Sequence, residues 1–463
     1  MIASSLSSDL RDTPVKKLFW KYTLPTIIAI MVNGLYTIID GFFIGHYIGE
    51  AGLAGLNVLW ALISLLVGAG TMIGMASSSL FSIEKGKNDY AAARSYLANG
   101  FILWFVIAVV IMVFFYFTAR FFIELQIAGS SEAIKAATDY FKIVIPMSFF
   151  VMGASAVPLF IRNDDRPRLA TQLMIFGAVF NAIGDYVFIK HLGRGMRGAA
   201  EATISAQMII SIVGIGYFFS SKARVRLHFW DLKFSWRKSV KILSLGVSSL
   251  MIFFYYGFIT GLYNYLFAKY GGSLMVAAYS VVGFVSYLYY MFAEGFTSGV
   301  QPLLSFNYGA VRYYNIRRLL WKTTRILFWL YVVFLIAIIL FPNELAALYT
   351  SEGDVALRAA VVRGMRLHLF VCFLEAFILM GTVYFQSVDR PKTATLISGV
   401  NLVIQLPFIL ILPRYLGTDG VWLGYPLANI PLALFVFVCV VRDLKRMTYL
   451  LLEKHKLVLK EGA

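Results

Sequence analysis

Twelve apolar runs recur along this 463-residue chain, each long enough to cross the hydrocarbon core of a bilayer as an α-helix. They lie near residues 23–46, 53–81, 96–118, 139–161, 169–189, 199–220, 241–267, 275–304, 319–341, 365–387, 394–413 and 420–441. The mean hydropathy is +0.76 and only 14% of residues are charged, so the chain is far more apolar than soluble proteins. The pattern predicts an all-α integral membrane protein with twelve transmembrane helices.

The two halves of the chain resemble each other at a nearly constant shift. A shift of 223 residues aligns Gly49 with Gly272, and a shift of 224 aligns the Asp-Arg-Pro triplets at 165–167 and 389–391. Because each half holds an even number of spans, both halves enter the membrane from the same side, as a parallel repeat. We therefore expect two pseudo-symmetric six-helix bundles.

The predicted spans and the basic segment between the two halves divide the chain into four parts. The N-terminal lobe covers 1–221, a basic cytoplasmic linker 222–240, the C-terminal lobe 241–446 and a cytoplasmic tail 447–463. The fold needs no second subunit, so a monomer is expected.

The formal charge of +17 reflects membrane topology, because Lys and Arg collect in every second connection. Examples on the basic side are Lys16, Lys17, Arg94, Arg162, Lys222, Arg224, Arg226, Arg317, Arg318 and Arg446. This asymmetry predicts that both termini are cytoplasmic, in a multi-pass protein of a prokaryotic inner membrane. No basic stretch is separable from a helix end, so nucleic acid is not an expected partner.

No motif in the sequence indicates an enzyme or a cofactor site. The sequence contains no H-E-x-x-H, no G-x-S-x-G and no GxxxxGK[ST] phosphate loop. Both cysteines, Cys372 and Cys439, lie inside apolar runs and form no CxxC pair. We expect neither an enzyme nor a bound cofactor.

Polar residues at one-turn spacing occur inside the first and fifth spans. Asp40 follows Tyr36 by four residues, and Asn181 precedes Asp185 by four. Asn33 lies a further turn before Tyr36 and is a weaker candidate for substrate contact. An ionisable group inside a span is costly, so these acids are functional candidates.

The sixth span adds Ala199 and Thr203, again four residues apart. Carboxylate, amide, phenol and hydroxyl oxygens suit either a proton relay or a hard monovalent cation. The residue types do not choose between the two.

Pro25 lies near the start of the first span. A proline inside a helix frees a backbone carbonyl and can form a hinge, whereas a proline at a helix start only initiates it. The sequence leaves both interpretations open.

Further candidates for substrate contact lie in the second half. Glu294 and Glu375 are acids within spans, and Tyr255, Tyr256 and Tyr263 belong to a dense aromatic stretch. Aromatic faces beside carboxylates attract bulky organic cations. Simple packing is the alternative explanation.

A resemblance to a known family rests on a specific set of residues in two six-span halves. The set is Pro25, Tyr36, Asp40, Asn181, Asp185, Ala199 and Thr203. It resembles the multidrug and toxic compound extrusion (MATE) transporters, and more narrowly their DinF-like and MepA-like prokaryotic branch, over almost the whole chain. NorM-like members instead use acids in the seventh and tenth spans, and here only Glu375 matches.

The resemblance implies a secondary active multidrug exporter that exchanges lipophilic organic cations for protons or sodium. Asp40 would carry the proton-linked step within a network of Tyr36, Asn181, Asp185 and Thr203. If sodium is the coupling ion, the resemblance implies that it binds at Asp40, Asn181 and Asp185. The bilayer and small organic cations would be its partners.

A flippase for lipid-linked glycan or peptidoglycan precursors is the main alternative, because it shares the two-bundle plan. Such a carrier needs cations to hold pyrophosphate, and only a few basic residues, such as Lys142 and Arg325, lie within spans.

Overall fold

The computed structural model describes residues 10, 13–126, 131–350 and 354–461, and every regular element in these ranges is helical. Residues 1–9, 11 and 12 of the predicted N-terminal lobe and 462 and 463 of the predicted tail lie outside the described residues. The first half contains α1 (Val15–Tyr47), α2 (Glu50–Gly86), α3 (Tyr90–Gln126), α4 (Ser131–Val144), α5 (Ser148–Asn163), α6 (Pro167–Asp185) and α7 (Gly195–Phe219).

The second half contains α8 (Trp236–Gly309), α9 (Tyr313–Leu340), α10 (Pro342–Ala347), α11 (Val355–His368), α12 (Cys372–Ser387), α13 (Pro391–Leu416) and α14 (Thr418–Glu461). The segment α8 is made of two helices that meet at Gly272. A 3₁₀ turn at Ile145–Met147 connects α4 to α5, and a π-helical segment at Tyr186–His191 continues α6.

Helix lengths account for the twelve predicted spans. Among the described residues, ten helices are long and apolar enough to cross a membrane, or eleven if α11 and α12, bent by 51°, form one span. The 74-residue α8 is interrupted at Gly272 (φ 68°, ψ −166°), whose repeat partner Gly49 (φ 88°, ψ −162°) separates α1 from α2. Thus α8 consists of two predicted spans joined at a glycine, and the predicted fold class is confirmed.

Turn geometry supports the duplication independently of residue identity. Four pairs of described residues with positive φ match under the repeat shift: Gly49 and Gly272, Asn88 and Val311, Asp165 and Asp389, Gly193 and Gly417. This left-handed conformation is uncommon outside glycine. The two halves therefore share their backbone at these turns even where the residue types differ.

The structure forms two compact units, Met1–Phe254 and Tyr255–Ala463. In the first, α1 packs on α6, α2 on α3 and α5, and α7 on α5 and α6. In the second, α13 packs on α12 and α14. The division falls inside α8, whereas the sequence-based boundaries follow the linker at 222–240; those boundaries stay a prediction about chain topology.

Small residues bring α2 and α5 into backbone contact. A Cβ atom on Gly70 would lie 2.4 Å from the carbonyl oxygen of Met152, and one on Gly74 would lie 2.8 Å from the Cα of Ala156. Small residues four apart allow this close approach of helices in membranes, where packing drives association. The pair of helices forms the centre of the first unit.

Gly70→Ala is expected to destabilise the first unit, because the added methyl group must push two backbones apart at a cost of about 1–3 kcal/mol. Gly216→Ala in α7 is the matched control, since no atom lies within 4 Å of its added Cβ. Thermal melting of the purified protein in detergent should show a lower transition for Gly70→Ala alone. Equal melting of the two variants would contradict the close contact.

A buried ionic cluster joins four segments of the first unit. Lys85 Nζ lies 3.0 Å from Asp165 Oδ1 and donates to the carbonyl oxygen of Asn163 at 2.8 Å. Tyr22 donates its hydroxyl to Asp165 Oδ1 at 3.1 Å, and Arg224 lies 3.2 Å from Asp165 Oδ2. Buried charges require such partners, so the cluster fixes the start of α1 and the segment after α7 to the end of α2.

Candidate functional site

Two acids from different spans meet in the interior of the first unit. Asp40 lies in the second half of α1 and is 8% exposed, while Asp185 ends α6 and is fully buried. Their carboxyl groups interact directly with each other. The π-helical segment at Tyr186–His191 begins right after Asp185, and such local widening is frequent at functional sites.

The other predicted polar residues of this half surround the acid pair. Asn181 Nδ2 donates to Thr203 Oγ1 at 3.3 Å, and both side chains are buried. Ala199 lies one turn before Thr203 and is fully buried. Tyr36, half-buried on α1, interacts electrostatically with both Asp40 and Asp185.

Tyr140 is a member of this cluster that sequence reasoning missed. It lies on α4, is 3% exposed, and interacts with Thr203, Asp40 and Asp185. Its signal in the sequence is a single tyrosine inside an apolar run, which looks the same as a packing residue. Only the approach of α4 to α7 identifies it.

Four buried oxygen atoms in the cluster accept no hydrogen bond from the residues that the structure describes. They are Oδ1 of Asp40, Oδ1 and Oδ2 of Asp185, and Oδ1 of Asn181. Buried oxygens are usually paired, so a set of four without donors needs a chemical explanation. A shared proton or a hard monovalent cation would satisfy them, and oxygen ligands fit sodium.

Not every candidate near this site joins it. Asn33 has an exposed side chain, and its carbonyl accepts a hydrogen bond from Thr37. Pro25 lies ten residues after the first residue of α1, so it does not initiate the helix. Its carbonyl oxygen accepts a hydrogen bond of 2.7 Å from Thr171 Oγ1 on α6. Pro25 therefore has the position that a hinge requires.

The candidates of the second half gather around Glu375 in the second unit. Tyr256 donates to Glu375 Oε1 at 3.0 Å, and Tyr425 also forms a hydrogen bond with this carboxylate. Gln405 donates to the hydroxyl of Tyr255. These contacts make a carboxylate surrounded by tyrosines.

Two further candidates lie at the edges of this tyrosine cluster. Tyr263 is fully buried, stacks on Tyr279 at 5.4 Å, and its hydroxyl has no partner among the described residues. Glu294 interacts electrostatically with Tyr290, whose ring lies 5.5 Å from that of Tyr256. The repeat shift of 223 residues matches Tyr263 to Asp40, so these two residues occupy equivalent places in their own units.

Known proteins match this chain in both of its halves. A family model described as MatE matches residues 25–187 and 245–411, one stretch in each half. The multidrug export protein MepA of Staphylococcus aureus (strain MSSA476) is 22% identical over 442 residues, which are 93% of this chain and 95% of MepA.

Solved structures agree over nearly the full length. A MATE protein in complex with MaL6 shares 21% identity with a TM-score of 0.89, covering 96% of this chain and 99% of that chain. A MOP superfamily transporter from Pyrococcus furiosus shares 21% identity with a TM-score of 0.88, covering 96% and 98%. These likenesses show the fold, and the family model matches well over half of the chain. The chain therefore belongs to the MatE family of membrane transporters.

Proposed function

We propose that this chain is a secondary active multidrug exporter that exchanges lipophilic organic cations for protons, with sodium as the alternative coupling ion. The observation that carries the proposal is the buried acid pair with four unpartnered oxygens in the first unit. The name of the relative MepA, a multidrug export protein, supports the direction and the breadth of substrates.

Coupling follows from the chemistry of the pair. Two neighbouring carboxylates in a low-dielectric interior repel each other unless one binds a proton or a cation lies between them. Asp40 and Asp185 therefore bind one coupling ion, while Thr203 fixes Asn181 and Tyr140 fixes Thr203. Binding or release of that ion changes how firmly α1 is attached to α6.

Movement of α1 transmits this change. Pro25 and Asp40 are fifteen residues apart on one helix, a distance of about 22 Å along the axis. Thr171 holds the Pro25 carbonyl on α6, so the part of α1 after Pro25 can reorient while the part before it stays fixed. Protonation of Asp40 from the outer side reorders α1, and this movement causes release of the substrate.

The tyrosine cluster around Glu375 is the proposed contact for organic cations. Aromatic faces attract cations, and the carboxylate adds a Coulombic term. Glu294, Glu375, Tyr255, Tyr256 and Tyr263 remain the candidates there, with Asn33 in the first unit. The protein acts as a monomer in a prokaryotic inner membrane with both termini cytoplasmic, and it has no cofactor besides the coupling ion.

Inverted membrane vesicles test the proposal with ethidium as a fluorescent lipophilic cation. An acidic interior should drive ethidium into vesicles that contain the protein, and a protonophore should abolish the uptake. A sodium gradient imposed alone identifies the alternative ion, and vesicles from cells without the protein are the control.

Failure of both gradients would contradict export of organic cations. Binding of a lipid-linked pyrophosphate precursor to the purified protein would then favour the flippase. Lys142 and Arg325, two of the basic residues inside spans, both have exposed side chains.

A further inference from the structure

A groove between the N-terminal halves of α1 and α6 lies apart from the buried acid pair. Its volume is about 280 Å³. Leu24, Ile28 and Ile175 form its apolar walls. Leu24 is 53% exposed and Ile28 is 43% exposed, so the groove opens sideways to the surroundings of the helices. In a protein that spans the membrane, those surroundings are lipid.

The groove is basic at one end. Trp20 and Lys21 lie there on α1, and Arg168 lies there on α6. The two helices run in the same direction, because Tyr22 contacts Asp165 before α6 begins and Pro25 contacts Thr171 further along. The basic residues therefore lie where both helices start, at the membrane surface, and the apolar walls extend toward the membrane interior.

This arrangement matches one class of ligand. No acidic residue among those that the structure describes lines the groove. Arg binds phosphate through paired donors, Lys adds a point charge, and Trp prefers the level of lipid headgroups. The apolar walls accommodate the upper part of an acyl chain.

We propose that this groove is a binding site for an anionic phospholipid, with Lys21 and Arg168 on the headgroup phosphate and Leu24, Ile28 and Ile175 on an acyl chain. A lipid bound here touches Pro25, which also lines the groove. The site depends on the membrane-spanning fold alone, and it stands whether or not the chain exports cations.

The test uses the full-length protein in nanodiscs of phosphatidylcholine with a minor fraction of phosphatidylglycerol. Native mass spectrometry counts the phosphatidylglycerol molecules that stay bound after the protein is released from the nanodisc. The variant is Lys21→Gln with Arg168→Gln. Each cation near an anionic lipid contributes a factor of about five, so retention should fall about 30-fold. The control is Arg317→Gln with Arg318→Gln, the same charge change at exposed residues of α9 in the second unit.

Ile175→Trp tests the apolar wall of the groove without changing the charge. It replaces the double variant as the test if that variant does not fold. It should fill the groove and lower retention severalfold. Phosphatidylglycerol with brominated acyl chains should quench the wild-type fluorescence more than that of Trp20→Phe, because Trp20 lines the groove.

Three outcomes would overturn the proposal. They are equal retention by wild type and both groove variants, an equal loss in the Arg317 and Arg318 control, and full displacement of the lipid by inorganic phosphate. The last would assign the basic end to a free anion.

Discussion

Asp40→Asn is expected to abolish gradient-driven accumulation of ethidium in inverted vesicles. An imposed difference of about two pH units supports up to about a hundredfold concentration ratio for each proton exchanged. An asparagine amide cannot take up or release a proton, so the ratio should fall to about one. The amide is nearly isosteric and can donate to Asp185, so the variant should fold and still bind ethidium.

Asp139→Asn provides the matched control for this loss. Asp139 is an acid of the same unit, but it is partly exposed and forms a surface ion pair with Arg197 at 3.0 Å. Such pairs contribute about 0–1 kcal/mol, so this variant should transport as wild type does. Full accumulation by Asp40→Asn would remove Asp40 from the coupling step, whereas lost ethidium binding would indicate damage to the fold instead.

Lys85→Met is expected to cause the largest loss of stability. Lys85 is 2% exposed, and its ammonium group contacts both Asp165 and the carbonyl of Asn163. Removing one partner of a buried pair costs about 3–5 kcal/mol, and the lower end applies here because Arg224 still contacts Asp165. Melting in detergent should begin roughly 5–10 °C lower.

Lys87→Met makes the same chemical change two residues later. Lys87 pairs with Glu84 at 2.8 Å, but its side chain is 51% exposed, so the pair is screened by water. This control should melt within a degree or two of wild type, at most a change of about 1 kcal/mol. If Lys85→Met melted at the same temperature as this control, the cluster around Asp165 would contribute no net stability.

The acid pair shows which residues of the candidate site could be predicted from the sequence. Asp40, Asn181 and Asp185 stood out because a polar group inside an apolar span is costly and one-turn spacing puts neighbours on one helix face. Tyr140 and Lys85 did not stand out, since nothing local distinguishes a tyrosine or a lysine near a helix end from its many counterparts. Their partners are Thr203 on α7 and Asp165 in the turn before α6, 63 and 80 residues away in the chain.

The repeat shows the same limit. Aligned Asp-Arg-Pro triplets indicated a duplication, and the matched left-handed turns at Asp165 and Asp389 agree with it. The ionic environments differ, however. Asp165 contacts Lys85, whereas in the second unit Arg390 and Tyr384 contact Asp443. The ion pairs thus involve the aspartate of the first loop and the arginine of the second, and the neighbouring helices supply their partners.

The sequence by itself determined the membrane class, the twelve spans and the two matched halves, because a bilayer requires long apolar segments whose backbone groups bond within the helix. Only the tertiary structure decided that Tyr140 lies beside the acid pair, that Pro25 lies inside α1, and that four buried oxygens lack donors. The reason is physical. Apolarity is a local property of a segment, whereas the pairing of buried polar atoms depends on which helices pack together.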